Sequence, residues 1–236
     1  MAHNIVGVIP ARGGSKRIPN KNIKEISKKP LIAYTIIESK KSKYLDRLIV
    51  TTDDERIAEI SKSYGADAPF IRPKELAKDK SNVVDALIHA VKYLESEEKY
   101  FPGIIVLLEP TSPLRTVEDI DLAIKKHLET GADSVVGVVK GDNRHPLKAK
   151  LIKNNKLVDY LFEERKIIRS QDLPEVYFRN GAYYSVKKDV LMSMKTLYGK
   201  DTRPFIMPAE RSIDINEELD FKIVEILLNN REEWLK

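Results

Sequence analysis

Through its first 140 residues the chain alternates short, unbroken apolar runs with longer amphipathic stretches. An unbroken apolar run is buried on both faces when it forms a strand, and sheets buried on both faces are parallel sheets covered by helices. The alternation therefore predicts repeated βα units. Strands are expected over 5–10, 47–51, 103–108 and 133–139, with a short extended piece over 69–72. Helices are expected over 31–41, 55–64, 82–97 and 117–130. Thr52, Asp53 and Asp54 offer oxygens to cap the second helix and Gly65 is placed to end it. Val83, Ala86, Leu87, Ala90, Val91 and Leu94 make a helical stripe on the third. The predicted class is α/β, a Rossmann-like, mostly parallel sheet flanked by helices, with residues 1–236 as a single domain. Beyond residue 140 the rhythm gives way to charged, β-like segments near 147–161 and 177–186, which predicts an inserted β-rich arm over 140–184. The chain closes on Ile213-Asp-Ile-Asn216 and a helix running to Trp234.

Composition removes several chemistries. With no cysteine, a disulfide framework, a thiolate zinc site and a cysteine nucleophile are excluded. His3, His89, His127 and His145 are scattered without zinc-site spacing. The amino terminus lacks a signal-peptide pattern, and no run approaches the roughly 18 apolar residues of a membrane span, so a cytoplasmic protein with no membrane partner is expected.

The formal charge is only +5, but it is unevenly spread. Between Arg12 and Lys29 stand Arg12, Lys16, Arg17, Lys21, Lys24, Lys28 and Lys29 against the single acid Glu25. This segment leaves the carboxyl end of the first expected strand, the edge where open α/β sheets bind ligands. Gly13 and Gly14 permit positive φ and close approach of backbone N–H groups to an anion, Ser15 adds a hydroxyl and Lys16 a charge. Phosphate oxygens suit such a loop. Neither the Walker pattern nor Gly-x-Gly-x-x-Gly is present. A nucleic-acid surface would interleave aromatics with the cations, and the first aromatic is Tyr34, so a small polyphosphate fits better and no nucleic-acid partner is expected.

The run Ile9-Pro-Ala-Arg-Gly-Gly-Ser-Lys-Arg-Ile-Pro-Asn-Lys-Asn22 closely resembles the opening motif of the acylneuraminate cytidylyltransferases, the CMP-sialic acid synthetases. The resemblance continues in order through Thr51-Thr-Asp-Asp54, Arg72-Pro73, Glu75-Leu-Ala77, Asp79, Pro110-Thr-Ser-Pro-Leu-Arg115, Gln171-Asp-Leu-Pro174, Asn180-Gly-Ala182 and Ser212-Ile-Asp-Ile215. It implies a nucleotide-diphospho-sugar transferase fold and transfer of a cytidylyl group from CTP to the anomeric hydroxyl of an acidic nine-carbon 2-keto sugar. Pyrophosphate is released, Mg²⁺ is required, and homodimers form through the inserted arm. Charge developing on the α-phosphate oxygens and the leaving pyrophosphate calls for preplaced cations. By position in the motif, Arg12, Ser15, Lys16 and Lys21 hold the triphosphate, and Ala11, Gly13 and Gly14 complete the loop. Asn22 and Arg72 read the cytosine. Where the family's nucleotide site carries a serine, this chain has Val83.

For the metal, Asp214 is the first choice, with Asn216 beside it where the family commonly carries a second Asp. In a strand the two would face the same way; alternatively, Asn216 caps the following helix. No protein nucleophile is needed, because the sugar hydroxyl attacks directly, and the general base is either Asp214 or a metal-bound hydroxide. At the sugar end the family often has Gln where Glu109 stands; a carboxylate accepts from hydroxyl and amide N–H groups but donates only when protonated. Legionaminate-like sugars are therefore plausible acceptors. Arg115, Arg165, Gln171 and Asn180 are the further sugar candidates. Thr111 and Ser112 are alternative caps for the fourth helix, and Tyr183 and Tyr184 read as core aromatics. Two other readings stand beside this one: the same chemistry with another acid sugar (pseudaminate or the eight-carbon ketodeoxyoctulosonate) or with GTP, and a non-enzymatic anion- or nucleic-acid-binding module.

Overall fold

The structure is a computed structural model describing residues 4–79, 81–141, 145–161 and 173–230. The chain runs β1 (Ile5–Pro10), β2 (Glu25–Ile26), β3 (Lys29–Pro30), α1 (Leu31–Lys40), β4 (Arg47–Thr51), α2 (Glu55–Ser63), α3 (Val83–Glu97), β5 (Ile104–Leu107), α4 (Val117–Thr130) and β6 (Ser134–Lys140). It continues with β7 (Lys150–Lys153), β8 (Lys156–Asp159), β9 (Tyr177–Lys187), α5 (Lys188–Met194), β10 (Thr202–Ile206) and α6 (Glu218–Asn229).

Among the described residues the main sheet has the order β10-β6-β9-β5-β1-β4. β1 pairs in parallel with β4 and β5, β10 pairs in parallel with β6, and β9 runs antiparallel between β5 and β6. Alternate β1 side chains separate two cores: Ile5 and Ile9 pack with α1, α2 and α4 residues such as Ile36, Ile57 and Ile124, while Val6 and Val8 pack with Leu87 and Leu94 of α3 and Leu191 of α5. The predicted α/β class with helices on both faces holds, with boundaries inside two residues for each of the four strands and four helices expected before residue 140; the two-residue strands β2 and β3 are not expected from sequence. A third cluster joins Ile18, Ile26, Leu31, Leu114, Ile215 and Phe221, pinning α6 and the segment before it against the loop after β1.

The strand β9 corrects the expected arm. Its residues Ala182, Tyr183, Tyr184, Ser185 and Val186 are buried on both faces, so residues 177–184 belong to the main sheet, and the excursion from it, where described, comprises 141, 145–161 and 173–176. Within that excursion β7 and β8 form a hairpin whose two turn residues, Asn154 and Asn155, take φ of 50° and 60°, the left-handed pair a two-residue hairpin turn requires. The short helix α5 and strand β10 are not anticipated from sequence. β10 carries Pro204, which removes a backbone donor and is tolerated because β10 is an edge strand. No helix among the described residues is long and apolar enough to cross a membrane.

Candidate active site

From β1 the chain passes through α1 to β4 on one side, and then through α2 and α3 to β5 on the other. This reversal of direction makes the carboxyl ends of β1 and β5 a topological switch point, the customary ligand crevice of such sheets. A cavity of about 590 Å³ opens there, lined by Arg12, Lys16, Lys21, Asn22, Arg72 and Glu109 among others. The basic loop, the segment between α2 and α3 and the loop after β5 thus meet at one place.

Only part of the basic density serves the cavity. Arg12, Lys16, Arg17 and Lys21 line it, whereas Lys24 pairs with Glu218 at 2.8 Å and lies over the Phe221 ring. Lys28 sits at φ 67° in the β2–β3 connection. Neither Gly13 nor Gly14 adopts a positive φ. Gly13 is required for space instead: a Cβ there would stand 2.8 Å from Asp54 Oδ2. Arg12 Nη1 and Lys16 Nζ both contact the Asp79 carboxylate, Arg12 at 2.7 Å, so an anion already sits between the cations assigned to phosphate. Asn22 is buried and donates to the Arg12 carbonyl at 3.0 Å. Arg72 is buried against Asp53 (3.9 Å), and desolvation lowers its pKa.

The segment that carries the distant carboxylate is held to this loop and its neighbours by a series of hydrogen bonds. Lys21 Nζ donates to the Ile215 carbonyl at 2.7 Å, across 194 positions of sequence. The Ile215 N–H donates to Thr111 O at 2.9 Å, Arg211 grips Asp119 through two 2.9 Å bonds, and Asn180 Nδ2 donates to Ser212 Oγ at 3.0 Å. Burial lowers the Lys21 pKa, with Asp214 and Glu109 opposing. Glu109 is pushed up to about 7, first by burial and then by the neighbouring Asp214 charge. Asp214 Oδ1 is buried without a hydrogen-bond partner, and so is Ser112 Oγ; both lie 3.7 Å from where a Cβ on Gly181 would sit. Gly181, at φ 72°, leaves that polar hollow open. A hard cation that keeps several waters and takes one or two carboxylates fits such a donor set. Among the described residues there is no cluster of three or more His, Asp or Glu of metal-binding type.

Several expected roles change. The 213–216 segment is not a strand, although the two side chains do share a side: Asn216 Nδ2 donates to Asp214 Oδ2 at 2.8 Å. Asn216 thus braces the carboxylate, and α6 is capped by Glu217 with Asp220 rather than by Asn216. Arg115 is fully buried and its guanidinium serves the carbonyls of Ala182 and Glu109 and the Thr35 hydroxyl, which removes it from the sugar surface. Asn180 is likewise consumed: its oxygen accepts from Ala182 N, its nitrogen meets Ser212 and Met207, and it lies in a bulged stretch of β9 rather than a turn. Thr116, with Asp119, caps α4 in place of Thr111 or Ser112. Arg165 and Gln171 lie outside the described residues. A second cavity of about 330 Å³ shares Asn82, Val83 and Glu109 with the first and adds Arg179, Tyr184, Lys195 and Tyr198. Tyr184 packs in the core yet lines this cavity, so its expected role is incomplete. Asp53 and Asp79 stand in matched motifs with no site role assigned to them from sequence, and the Arg211–Asp119 pair carries no sequence signal.

The Cytidylyltransferase family profile matches residues 6–230. The chain belongs to this family. A CMP-N,N'-diacetyllegionaminic acid synthase of Legionella pneumophila is 33% identical over 98% of this chain and 99% of its own. A pseudaminic acid cytidylyltransferase of Campylobacter jejuni is 31% identical over 93% of this chain and 94% of its own. The cytidylyltransferase fold is also that of a CMP:2-keto-3-deoxy-manno-octonic acid synthetase solved with CTP (TM-score 0.73, 18% identity, 96% and 99% of the two chains). As a cytidylyltransferase the protein is an enzyme, a nucleotidyltransferase, and the expected fold family stands.

Proposed function

We propose that this cytidylyltransferase joins CMP from CTP to the anomeric hydroxyl of a nonulosonic acid, with Mg²⁺ and as a cytoplasmic homodimer. The observation that carries this reading is the bond from Lys21, in the cationic loop that lines the cavity, to the Ile215 carbonyl, so that the loop is tied to the residue next to Asp214, the candidate metal carboxylate. Arg12, Lys16 and Lys21 bind the phosphates and offset the charge that grows on the departing pyrophosphate. Asn22 and Arg72, buried at the cavity's inner wall, orient the base. Asp214 holds the metal, with Asn216 fixing the carboxylate; when bound, Mg²⁺ neutralises phosphate oxygens and polarises the phosphorus under attack.

The second cavity suits the acceptor, since Arg179 and Lys195 supply cations for a sugar carboxylate and the cavity abuts the nucleotide at Glu109. Glu109 accepts hydrogen bonds from sugar hydroxyl or amide N–H groups. Relatives named for legionaminic and pseudaminic acids support a diamino nonulosonate as the acceptor. The hairpin β7–β8 leaves Ile152 77% and Leu157 74% exposed, an apolar surface consistent with a partner subunit. The test is pyrophosphate release from CTP, UTP, GTP and ATP with Mg²⁺ and a panel of acid sugars. Turnover confined to CTP with a nine-carbon acid is expected; turnover with GTP or only with an eight-carbon acid transfers the assignment, and none with any pair ends it.

A further inference from the structure

At the carboxyl end of β4 the run Thr51-Thr-Asp-Asp54 does more than cap α2. The Thr51 carbonyl accepts from Ala11 N–H at 3.0 Å, and the Thr52 carbonyl accepts from Arg72 N–H at 2.7 Å. Asp53 Oδ1 accepts from Gly13 N–H at 3.0 Å and stands 3.9 Å from Arg72 Nη2. Asp54 crowds the same glycine, so the loop cannot carry a side chain at position 13 without moving. Arg72 is 4% exposed, its Nε has no hydrogen-bond partner, and among the described residues Asp53 is the carboxylate within ion-pair reach of it. A buried guanidinium without a counter-charge is costly, which makes the placement of this carboxylate consequential.

Resting on the nucleotide reading above, we infer that Asp53 is a positioning residue that registers the two ends of CTP against each other: through one oxygen it fixes the backbone of the phosphate loop at Gly13 and faces the base-directed guanidinium of Arg72. The asparagine variant separates the two duties, because Asn keeps an acceptor for Gly13 N–H while removing the charge that faces Arg72. The alanine variant removes both.

Calorimetric titration of the full chain with CTP and, separately, with inorganic tripolyphosphate reads them apart, since tripolyphosphate has no base to orient. Asp53→Asn is expected to weaken CTP about tenfold while leaving tripolyphosphate within about twofold, and to raise KM for CTP more than it changes kcat. Asp53→Ala is expected to weaken both ligands by about tenfold or more. Equal weakening of both ligands by Asp53→Asn, or no weakening of CTP, overturns the inference. If Asp53→Asn alone does not fold, Arg72→Gln with and without Asp53→Asn gives the answer, since the buried charge is then absent: the second change is expected to add less than about twofold to the loss of CTP affinity, and a further loss of about tenfold overturns the inference. Wild-type protein that binds tripolyphosphate but not CTP defeats the nucleotide reading itself, which is a distinct result from normal CTP binding unaffected by either variant.

Discussion

Lys21 and Glu109 are two residues whose burial sets their chemistry. Lys21 keeps its charge half-buried between Asp214 and Glu109, where a cation acts on developing phosphate charge with little screening. Lys21→Ala is expected to slow the chemical step by on the order of 10²-fold or more, with kcat falling more than KM rises; an unchanged kcat in single-turnover measurements removes it from the transition state. Glu109 has its pKa raised from 4.5 to about 7. The folded protein therefore binds this proton more tightly than the unfolded chain, and stability falls as pH rises from about 4.5 to about 7, by up to roughly 3 kcal/mol. In metal-free protein Glu109→Gln is expected to raise Tm at pH 8 and to lose that advantage near pH 4; a pH-independent difference contradicts the assigned cause. The same variant is expected to stay active with an altered ranking of acceptor sugars, read as kcat/KM ratios. At this scale the sequence was partly legible. The cationic loop and Asp214 were recognisable because charge density and motif are local properties, whereas Arg115 and Asn180 misled because a polar side chain in a matched motif looks the same whether it faces a ligand or satisfies buried carbonyls.

At the scale of elements, helices and strands with strong periodicity were read closely: β1, β4 and α4 have the predicted ends. The failures share a cause. β9 and the β7–β8 hairpin are both β-like in sequence, and only pairing partners far along the chain decide that one lies at the sheet centre and the other outside it. The hairpin is also where subunit association can be tested without damaging the core, because the Tyr160 N–H bonds the Ala149 carbonyl at 3.1 Å and the flanking chain ends are already adjacent. Replacing residues 150–159 by a two-glycine turn is expected to give a monomer by light scattering with little change in Tm and with loss of turnover. A monomer that retains full activity refutes the idea that the arm completes a neighbouring site. The Arg211–Asp119 pair tethers the segment bearing Asp214 to α4; Arg211→Ala leaves a buried carboxylate unpaired and is expected to cost about 2 kcal/mol in denaturant melts, with metal affinity reduced alongside.

For the molecule as a whole, ligand binding and folding are coupled, because residues brought to the cavity come from both ends of the chain. CTP at about 100 times its Kd is expected to add about 2.7 kcal/mol, a rise of roughly 5 to 10 °C in Tm. The gain is expected to shrink at 1 M salt, where partly exposed Arg12 and Lys16 are screened; a salt-independent shift would speak against phosphate recognition by those two cations. The overall class was readable because alternation of apolar runs is a global signal that no single residue decides. Which carboxylate meets which loop was not readable from spacing, since 194 positions separate Lys21 from its acceptor.

The reversed strand at the middle of the sheet also dictates an order of assembly. β5 and β6 have no bond to one another, and each takes an edge of β9, so the first half of the sheet ends in an open apolar ribbon, Ile104–Leu107, until residue 187 has left the ribosome and its exit tunnel. Translation intermediates ending before Tyr177 are thus expected to be sticky and dependent on chaperones, and the two halves of this enzyme to become one body only when the returning chain is threaded home between them.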